Sequence, residues 1–233
     1  MPTRSPRGAA GYLPPRRKLC FGHRPPVIES RSAANPHDVR RAAGELGGRV
    51  ALKATGPDLL HKSDVGGVRL ALTAAGAERA AGEKQTSLKA AGMAHEGFLV
   101  QRMAATGLEL IVGVVGDPRF GPLVAVGAGG TTAELIGDVQ VRLAPVGPRE
   151  AATMLRELRT FPLLDGFRGA PRADTRALED IIQRVAALAA AHPEIAELDC
   201  NPVVAGPDGA VIVDARVRLA PAPPRPPAGA LNR

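Results

Sequence analysis

The stretch from residue 196 to residue 217 constrains the fold more than any other part of this chain, because it predicts two β-strands joined by a tight turn. The turn-forming residues Gly206-Pro207-Asp208-Gly209 lie at its centre, with valines and isoleucines on both sides. Successive side chains of a strand point to opposite faces, so Asp199 and Asn201 are expected on one face. The sequence therefore predicts a hairpin that presents polar groups on one of its faces.

The register of this hairpin predicts a concentration of negative charge. If residues 205–208 form the loop, Asp199 lies directly opposite Asp214 on the second strand. Like charges in directly opposite positions destabilise a sheet, and a bound cation would remove that repulsion. Two carboxylates and the amide oxygen of Asn201 form an all-oxygen ligand set, which suits magnesium rather than zinc. The alternative interpretation is a hairpin whose acidic side chains simply face water.

Length and composition permit one large domain or two small ones with a substantial hydrophobic core. The chain has 233 residues, of which 45% are hydrophobic. No apolar run approaches the ~18–20 residues that a membrane-spanning helix needs. The two cysteines, Cys20 and Cys200, are too few for a disulfide framework or a cysteine-rich metal site. These features favour a globular protein of the reducing cytoplasm with no membrane partner.

The net charge of +7 is concentrated at the two ends of the sequence. Residues 1–35 carry seven basic side chains against one glutamate, residues 221–233 carry two arginines, and residues 36–220 have a net charge of −1. A basic face on a folded domain would indicate nucleic-acid binding, but these basic residues lie outside the periodic part of the chain. Only 3% of the residues are aromatic, so platforms for base stacking are scarce. Nucleic-acid binding is therefore disfavoured, and electrostatic binding through the basic end stays an alternative.

The two ends of the chain are expected to lie outside the folded domain. Residues 1–35 are rich in proline, arginine and glycine and lack hydrophobic periodicity, which predicts a disordered leader. The alternatives are a transit peptide, which the prolines disfavour, and a start site that precedes the domain proper. Residues 221–233 are expected to form a Pro-rich tail.

The first regular elements are predicted to be a helix and a strand. Asn35 and Pro36 are typical of the N-cap and the first position of a helix, and Gly47 marks its end. Residues 49–55 then form an apolar strand that contains Lys53. A lysine in such a strand either extends to an edge or points into a site. The loop that follows favours the site.

That loop, residues 56–68, combines glycines with a histidine. Glycines expose backbone amides to a ligand, and His61 lies beside the positive charge of Lys62. A histidine on such a loop can carry a proton or a phosphoryl group, and the commoner alternative is a solvent-exposed loop histidine. The loop lacks the Gly-x-x-x-x-Gly-Lys-Ser/Thr pattern of a P-loop.

The rest of the chain alternates between strands and amphipathic helices. Glu109 lies in an otherwise apolar strand, and because a buried carboxylate needs a partner, it is expected in a site or at an edge. The loop from Gly127 to Glu134 resembles an anion-binding loop, although glycines alone are a weak signal. Strands are predicted at residues 68–72, 97–103, 108–115 and 122–127, and helices at residues 74–91, 148–159 and 174–191.

Several short stretches occur in a characteristic order. They are Leu52-Lys53, His61–Val68, Val100–Met103, Glu109 with Gly113, Asp117–Pro122, Gly127–Glu134, Gly166–Gly169, Glu197–Pro202 and Asp214–Arg216. Together they resemble the ATP-grasp domain of NDP-forming acyl-CoA synthetases, as in the β subunit of acetate–CoA ligase (ADP-forming). They are similar, more distantly, to the β subunit of succinyl-CoA synthetase. The resemblance covers residues 36–219 and depends on the order and spacing of all the stretches.

The resemblance implies an α+β fold of the ATP-grasp type, in which two α+β subdomains with mainly antiparallel sheets enclose the nucleotide. The first would span about residues 36–100 and the second about residues 101–220. The implied cofactors are ATP/ADP and Mg2+. The implied ATP-binding residues are Lys53 at the phosphates, Val100, Gln101 and Ala104 in the adenine hinge, and Glu109 at the sugar or phosphates. The implied magnesium ligands are Asp199, Asn201 and Asp214.

The resemblance also implies a ligase that forms carbon–sulfur bonds, with His61 as the phosphoryl carrier and Lys62 beside it. The implied reaction is acyl-CoA + ADP + phosphate ⇌ acid + CoA + ATP, through an acyl phosphate and a phosphohistidine. The CoA-binding domain and the other ligase domain are absent from this sequence. The resemblance therefore implies one of two arrangements. Either a separate partner α chain with its own phosphohistidine loop binds CoA and the small carboxylic acid, or this chain is a fragment of a fused protein.

One departure from the family supports a different class of function. Residues 1–35 do not match the helical stretch that usually precedes the first strand. The alternative is a non-catalytic regulatory domain or a remnant, related to the ATP-grasp domains fused to GNAT-type protein acyltransferases. The presence of every candidate site residue favours the catalytic interpretation.

Overall fold

The computed structural model describes residues 25–56, 59, 68–130 and 136–222, which form two compact units. The first unit comprises residues 28–105, and the second comprises residues 25–27 together with residues 106–222. The boundary therefore lies between Ala105 and Thr106, a few residues after the position expected from the sequence.

The described residues of the first unit form a four-stranded antiparallel sheet with two helices. In chain order its elements are β1 (Ser30–Ala33), α1 (Pro36–Leu46), β2 (Val50–Thr55), β3 (Val68–Leu72), α2 (Ala74–Ala90) and β4 (Gly97–Arg102). The strands lie in the order β1-β4-β2-β3. Both helices contribute to one hydrophobic core on a single face of this sheet.

Helix α1 begins and ends where its sequence predicts. The Asn35 side chain accepts a hydrogen bond from the backbone N–H of Asp38 at 2.9 Å, which satisfies one of the unpaired donors of the first turn. Pro36 occupies the first turn, where a missing N–H costs nothing. Gly47 ends the helix with a φ of +70°, a conformation that favours glycine. The buried face consists of Val39, Ala42, Ala43 and Leu46.

The sheet of the first unit has a hydrophobic face and a mixed face. The helix-facing positions of its central strands are Val50, Leu52, Ala54, Phe98 and Val100. On the opposite face Lys53 pairs with Leu99, and Ala51 pairs with Gln101. All four of these residues are buried. The alternation of strand side chains therefore places Lys53 away from the helix-packed core.

Strand β1 lies inside the range for which the sequence predicts a disordered leader. It pairs antiparallel with β4 over its whole length, Ser30–Ala33. For residues 25–35 that prediction is wrong, because pairing with an existing strand satisfies the backbone of a segment whose side chains show no periodic pattern. Residues 1–24 lie outside the described residues, as do residues 223–233 of the predicted tail.

The described residues of the second unit form a six-stranded sheet with helices on one face. Its elements are β5 (Leu108–Asp117), β6 (Gly121–Ala128), β7 (Val139–Leu143), α3 (Pro148–Arg156), α4 (Phe161–Leu164), a 3-10 turn (Phe167–Gly169), α5 (Thr175–Ala191), β8 (Ile195–Gly206), β9 (Gly209–Ile212) and β10 (Ala215–Leu219). The strand order is β10-β8-β5-β6-β7, and β9 pairs with β8. The sequence analysis does not predict β7.

The core of the second unit lies between this sheet and helices α3 and α5. Helix α5 begins at the Asp174 cap, whose carboxylate accepts a hydrogen bond from the N–H of Ala177 at 3.0 Å. Its fully buried residues include Ile181, Ile182 and Val185. No helix in the described part of the chain is long and apolar enough to cross a membrane.

The hairpin of β8 differs in register from the one that the sequence predicts. Its loop consists of Pro207 and Asp208 alone, because the residues on either side of them are paired. The register continues into β10, where Asp199 lies opposite Arg216 rather than Asp214. The predicted opposition of two aspartates is therefore wrong. A shift by an even number of residues does not by itself move side chains from one face of the sheet to the other.

Strand β8 contains a bulge at Asn201 and Pro202. Cys200 and Val203 both pack into the core, so the two consecutive residues between them lie outside it. The register of β8 against β5 shifts at this point. The bulge leaves Asn201 exposed beside the face that carries Asp199.

Candidate magnesium and nucleotide site

The three predicted metal ligands lie together where β8 meets the chain between β9 and β10. The backbone N–H of Asn201 donates to the carbonyl of Asp214 at 3.1 Å. Asp199 points away from the core, because Leu198 and Cys200 on either side of it pack into the core. Asp199 and Asp214 are close enough for their charges to interact.

Electrostatics favour a cation at this position. The pKa of Asp199 is raised above its ordinary value, mainly by burial; Arg216 lowers it, and the negative charges of Glu197 and Asp214 raise it. A cation among these carboxylates would stabilise their ionised forms. Burial, followed by the charges of Asp199 and Asp214, raises the pKa of the Cys200 thiol to about 12. That thiol therefore stays protonated and is a poor metal ligand.

The sheet beside Asp199 leaves space for a ligand. Gly113 of β5 lies opposite Asp199, and Ala125 of β6 lies opposite Gly113. Gly113 has no side chain and Ala125 has only a methyl group, so no bulky side chain projects from the sheet at these two positions. The row continues to Val141 of β7, which is exposed. The acidic residues therefore border a shallow floor.

The donor set fits a magnesium ion that also contacts a phosphate. Mg2+ takes octahedral oxygen ligands, and it usually keeps waters and substrate phosphates beside one or two protein carboxylates. Within the described residues, no group of three or more His, Cys, Asp or Glu side chains could hold a metal ion. Two carboxylates and one amide oxygen therefore suit a metal that arrives with an anionic ligand.

Glu109 and the glycine-rich loop after β6 lie side by side. The N–H of Gly129 donates to the carbonyl of Glu109 at 2.8 Å. A Cβ on Gly129 would lie 2.7 Å from the Glu109 carbonyl carbon, so this close approach requires glycine. A Cβ on Gly130 would lie 3.7 Å from Oε2 of Glu109. Glu109 is exposed, so its carboxylate needs no buried partner, and residues 131–135 lie outside the described residues.

Lys53 and Gln101 share the mixed face of the first sheet. Their exposed fractions are only 6% and 4%, and they are diagonal neighbours on β2 and β4. A lysine that is this buried has lost most of its hydration and requires polar or anionic surroundings. The alternative in which Lys53 extends to an exposed edge is therefore wrong.

The other predicted site residues have less structural support. The Val100 side chain is completely buried in the helix-facing core, and β4 has a neighbouring strand on each side. Ala104 follows β4 and is partly exposed. Contact of either residue with a nucleotide stays a prediction. His61 and Lys62 lie outside the described residues.

Arg216 is a candidate residue that the sequence reasoning missed. It lies directly opposite Asp199 and is exposed. Strand alternation could have found it, because a residue two positions after Asp214 is expected on the same face. The wrong register concealed its position opposite Asp199.

A family model described as an ATP-grasp domain matches residues 17–219. This chain belongs to the ATP-grasp family. The match spans the described residues of both units up to the end of β10, and it confirms the predicted α+β fold. It also begins well before residue 36, so part of the expected leader belongs to the ATP-grasp domain.

Curated ATP-grasp relatives include subunits and longer single chains. The chain is 39% identical over 199 residues to the β subunit of acetate–CoA ligase (ADP-forming) I from Pyrococcus furiosus, covering 83% of this chain and 85% of that one. It is 41% identical over 189 residues to acetate–CoA ligase (ADP-forming) I from Archaeoglobus fulgidus, covering 80% of this chain. It spans only 28% of the Archaeoglobus protein. The resemblance to ADP-forming acetate–CoA ligases is therefore confirmed.

Solved ATP-grasp structures of similar sequence have the same fold. A structure of dinucleotide forming acetyl-coenzyme A synthetase 1 from Ca. Korarchaeum cryptofilum, with coenzyme A and Ca-AMPCP, matches with a TM-score of 0.80 and 39% identity, covering 84% of this chain and 86% of that chain. Another structure of that synthetase contains Mg-AMPPCP, with a phosphohistidine segment pointing towards the nucleotide site, and matches with a TM-score of 0.74 and 38% identity over 86% of this chain and 87% of that one. These ligands agree with the expected ATP/ADP and Mg2+.

Proposed function

We propose that this chain is the ATP-binding part of an ADP-forming acid–CoA ligase. The observation that carries the proposal is the pairing of β8 with the segment that follows β9. Asp199, Asn201 and Asp214 thereby lie together beside the floor formed by Gly113 and Ala125. That arrangement suits a magnesium ion shared with nucleotide phosphates. The similarity to ADP-forming acetate–CoA ligases gives the reaction class.

Each predicted residue has a role in this function. Asp199, Asn201 and Asp214 hold Mg2+, which when bound neutralises charge on the phosphates. Lys53 contacts the phosphates, Gln101 together with Val100 and Ala104 forms the adenine hinge, and Glu109 contacts the sugar or phosphate side. His61 is the nucleophile that accepts a phosphoryl group, and Lys62 supplies positive charge beside it.

The overall reaction in this proposal is acyl-CoA + ADP + phosphate ⇌ acid + CoA + ATP. The ATP-grasp chain exchanges a phosphoryl group between the nucleotide and a histidine. A partner α chain binds CoA and the acid and carries its own phosphohistidine loop. One fact supports a partner: the Pyrococcus relative is named a β subunit. Cytoplasmic localisation stays a prediction.

Calorimetric titration of the full chain with ATP, in the presence and absence of Mg2+, tests the proposal. We expect Mg2+-dependent binding by the wild type and at least about tenfold weaker binding by Asp214→Ala, because a metal ligand is lost. Asp208→Ala is the matched control, since Asp208 is an exposed loop residue of the same hairpin. A wild-type chain that is folded by circular dichroism but binds no ATP would contradict the proposal.

A further inference from the structure

Two arginines of β10 stand opposite two acidic residues of β8, and the two pairs differ. Arg218 pairs with Glu197, and its Nε lies 3.0 Å from Oε2 of the glutamate. Arg216 pairs in register with Asp199, one step along the same face. In the described part of the chain, Arg216 has no carboxylate oxygen within 4.0 Å of its guanidinium nitrogens.

Strand geometry does not explain why Arg216 and Asp199 form no ion pair. Both arginines are exposed, both lie opposite an acid, and both point away from the core because Val217 between them packs towards it. Opposite charges in such positions ordinarily attract each other. Arg216 lies directly opposite Asp199 in the sheet, yet no ion pair joins its guanidinium to that carboxylate. The guanidinium of Arg216 is therefore available to another anion.

Charge indicates which anion this is. Asp199 and Asp214 together balance the charge of one magnesium ion, so a bound polyphosphate retains negative charge that the protein must neutralise. A guanidinium presents paired N–H donors that match phosphate oxygens, and such charge-assisted hydrogen bonds are among the strongest in proteins. Arg216 lies at the edge of the same group of residues, on the side away from Gly113.

We propose that Arg216 binds a phosphate group of the Mg2+-bound nucleotide directly. This inference rests on the proposed function and extends it to a residue outside the predicted site. Asp199 would then hold the metal, and the guanidinium of Arg216, which forms no ion pair with that carboxylate, would contact the phosphate. The alternative is that Arg216 acts only through Asp199, by holding that carboxylate in position for the metal.

Three variants of the full chain separate these roles: Arg216→Ala, Arg216→Lys, and Arg218→Ala as the matched control. Titrations with Mg·ATP measure phosphate binding, and titrations with Mn2+ alone measure the metal ligands. We expect Arg216→Ala to weaken Mg·ATP binding about 10- to 100-fold, the range for a lost charge-assisted hydrogen bond. Arg216→Lys should recover part of that loss, because lysine keeps the charge without the paired donors.

The control readouts decide the outcome. Binding of Mn2+ alone should not weaken in Arg216→Ala, and Arg218→Ala should bind Mg·ATP like the wild type. Equal weakening of Mn2+ and Mg·ATP binding by Arg216→Ala would overturn direct phosphate binding in favour of a role through Asp199. Unchanged Mg·ATP binding in Arg216→Ala would also overturn it while leaving the proposed function intact. A folded wild type that does not bind Mg·ATP would reject the proposed function and this inference together.

Discussion

Asp138 is a buried acid with a purely structural environment. Its carboxylate accepts hydrogen bonds from the N–H of Arg159 at 2.9 Å, from the N–H of Thr160 at 2.9 Å and from the Thr160 hydroxyl at 2.6 Å. Burial alone would raise the pKa of Asp138, but these hydrogen bonds outweigh it and lower the pKa. The residue therefore ties the start of β7 to the turn between α3 and α4.

Asp138→Asn should destabilise the protein in a pH-dependent way. An amide has only one acceptor oxygen and would direct its NH2 group at a backbone donor, so we expect a loss of about 1.5–3 kcal/mol near neutral pH. Because the folded-state pKa of Asp138 is lowered, its contribution is complete above the unfolded-state pKa of about 3.9 and disappears as pH falls through the lower folded-state value. Urea unfolding of both proteins at neutral and acidic pH measures this difference.

The matched control is Thr160→Val, which removes one of the three donors and keeps the shape of the side chain. Thr160→Val should lower the free energy of unfolding by less than Asp138→Asn does at neutral pH. A difference between wild type and Asp138→Asn that stays constant down to pH values below the folded-state pKa would contradict the assigned role of the carboxylate.

Gly129 is the second residue whose environment makes a sharp prediction. A Cβ at Gly129 would meet the backbone of Glu109 and Leu110 at 2.7–2.9 Å, and backbone cannot move aside as a side chain can. Gly129→Ala should therefore destabilise the second unit by about 1–3 kcal/mol. Gly82→Ala is the control, since nothing lies within 4 Å of a Cβ there. In the interior of α2 that change should stabilise by about 0.5–1 kcal/mol. In thermal unfolding, the midpoint should fall for Gly129→Ala and rise for Gly82→Ala. Changes in the same direction would contradict the prediction.

At the scale of elements, local signals in the sequence predict most of the fold. The cap at Asn35, the glycine ends of helices and the turn residues around Pro207 act within a few positions, so their effect is independent of the rest of the chain. Strand β1 has no periodic signal and is ordered only by its neighbour β4. Strand β7 is absent from the prediction, although Val139, Val141 and Leu143 alternate with polar residues along it.

The candidate site could be predicted in part for the same reason. The predicted grouping of Asp199, Asn201 and Asp214 holds although the predicted register is wrong by two residues, because a shift by an even number of residues does not exchange the faces of a strand. Register depends on loop length and on packing across the sheet, which residues 205–208 do not determine. The burial of Lys53 also depends on tertiary packing. The sequence alone therefore leaves two alternatives for this side chain, an edge of the sheet or a site.

Strand β2 combines a core face with a face that carries one buried lysine. Lys53→Met keeps the length of the side chain and removes its charge. Because its polar surroundings then lose their partner, fold stability should fall by about 1–3 kcal/mol. Nucleotide affinity should fall about 10- to 100-fold if Lys53 contacts phosphates. Urea unfolding and ATP titration measure the two quantities separately. Lys89→Met, at an exposed position of α2, should alter neither, and loss of stability without loss of affinity in Lys53→Met would assign Lys53 a structural role.

At the scale of the whole molecule, each of the two units has its own hydrophobic core in the described part of the chain. Phosphoryl transfer to a histidine needs only this chain in the proposed function, whereas acyl-CoA chemistry needs the α chain. The two activities should therefore separate experimentally.

Incubation of the chain alone with ATP labelled in the γ-phosphate should give an acid-labile phosphoprotein. His61→Ala should abolish the label, and it should reduce ATP synthesis from acyl-CoA, ADP and phosphate in the presence of the α chain by at least about a thousandfold. Substitution of another histidine, His37→Ala on α1, is the control and should leave both intact. Full labelling of His61→Ala would exclude His61 as the carrier.

The bulge at Asn201 and Pro202 limits how β8 can change over evolutionary time. Just before the bulge the core residues of this strand are Leu198 and Cys200, at even-numbered positions, and after it they are Val203 and Ala205, at odd-numbered positions. Deletion of one residue there would shift the register of β8 against β9 or β10 by one position and would break the pairing of Asn201 with Asp214. Descendants of this gene can therefore accept many exchanges of one amino acid for another in this strand, but a gain or loss of a single codon between Cys200 and Val203 should be eliminated by selection.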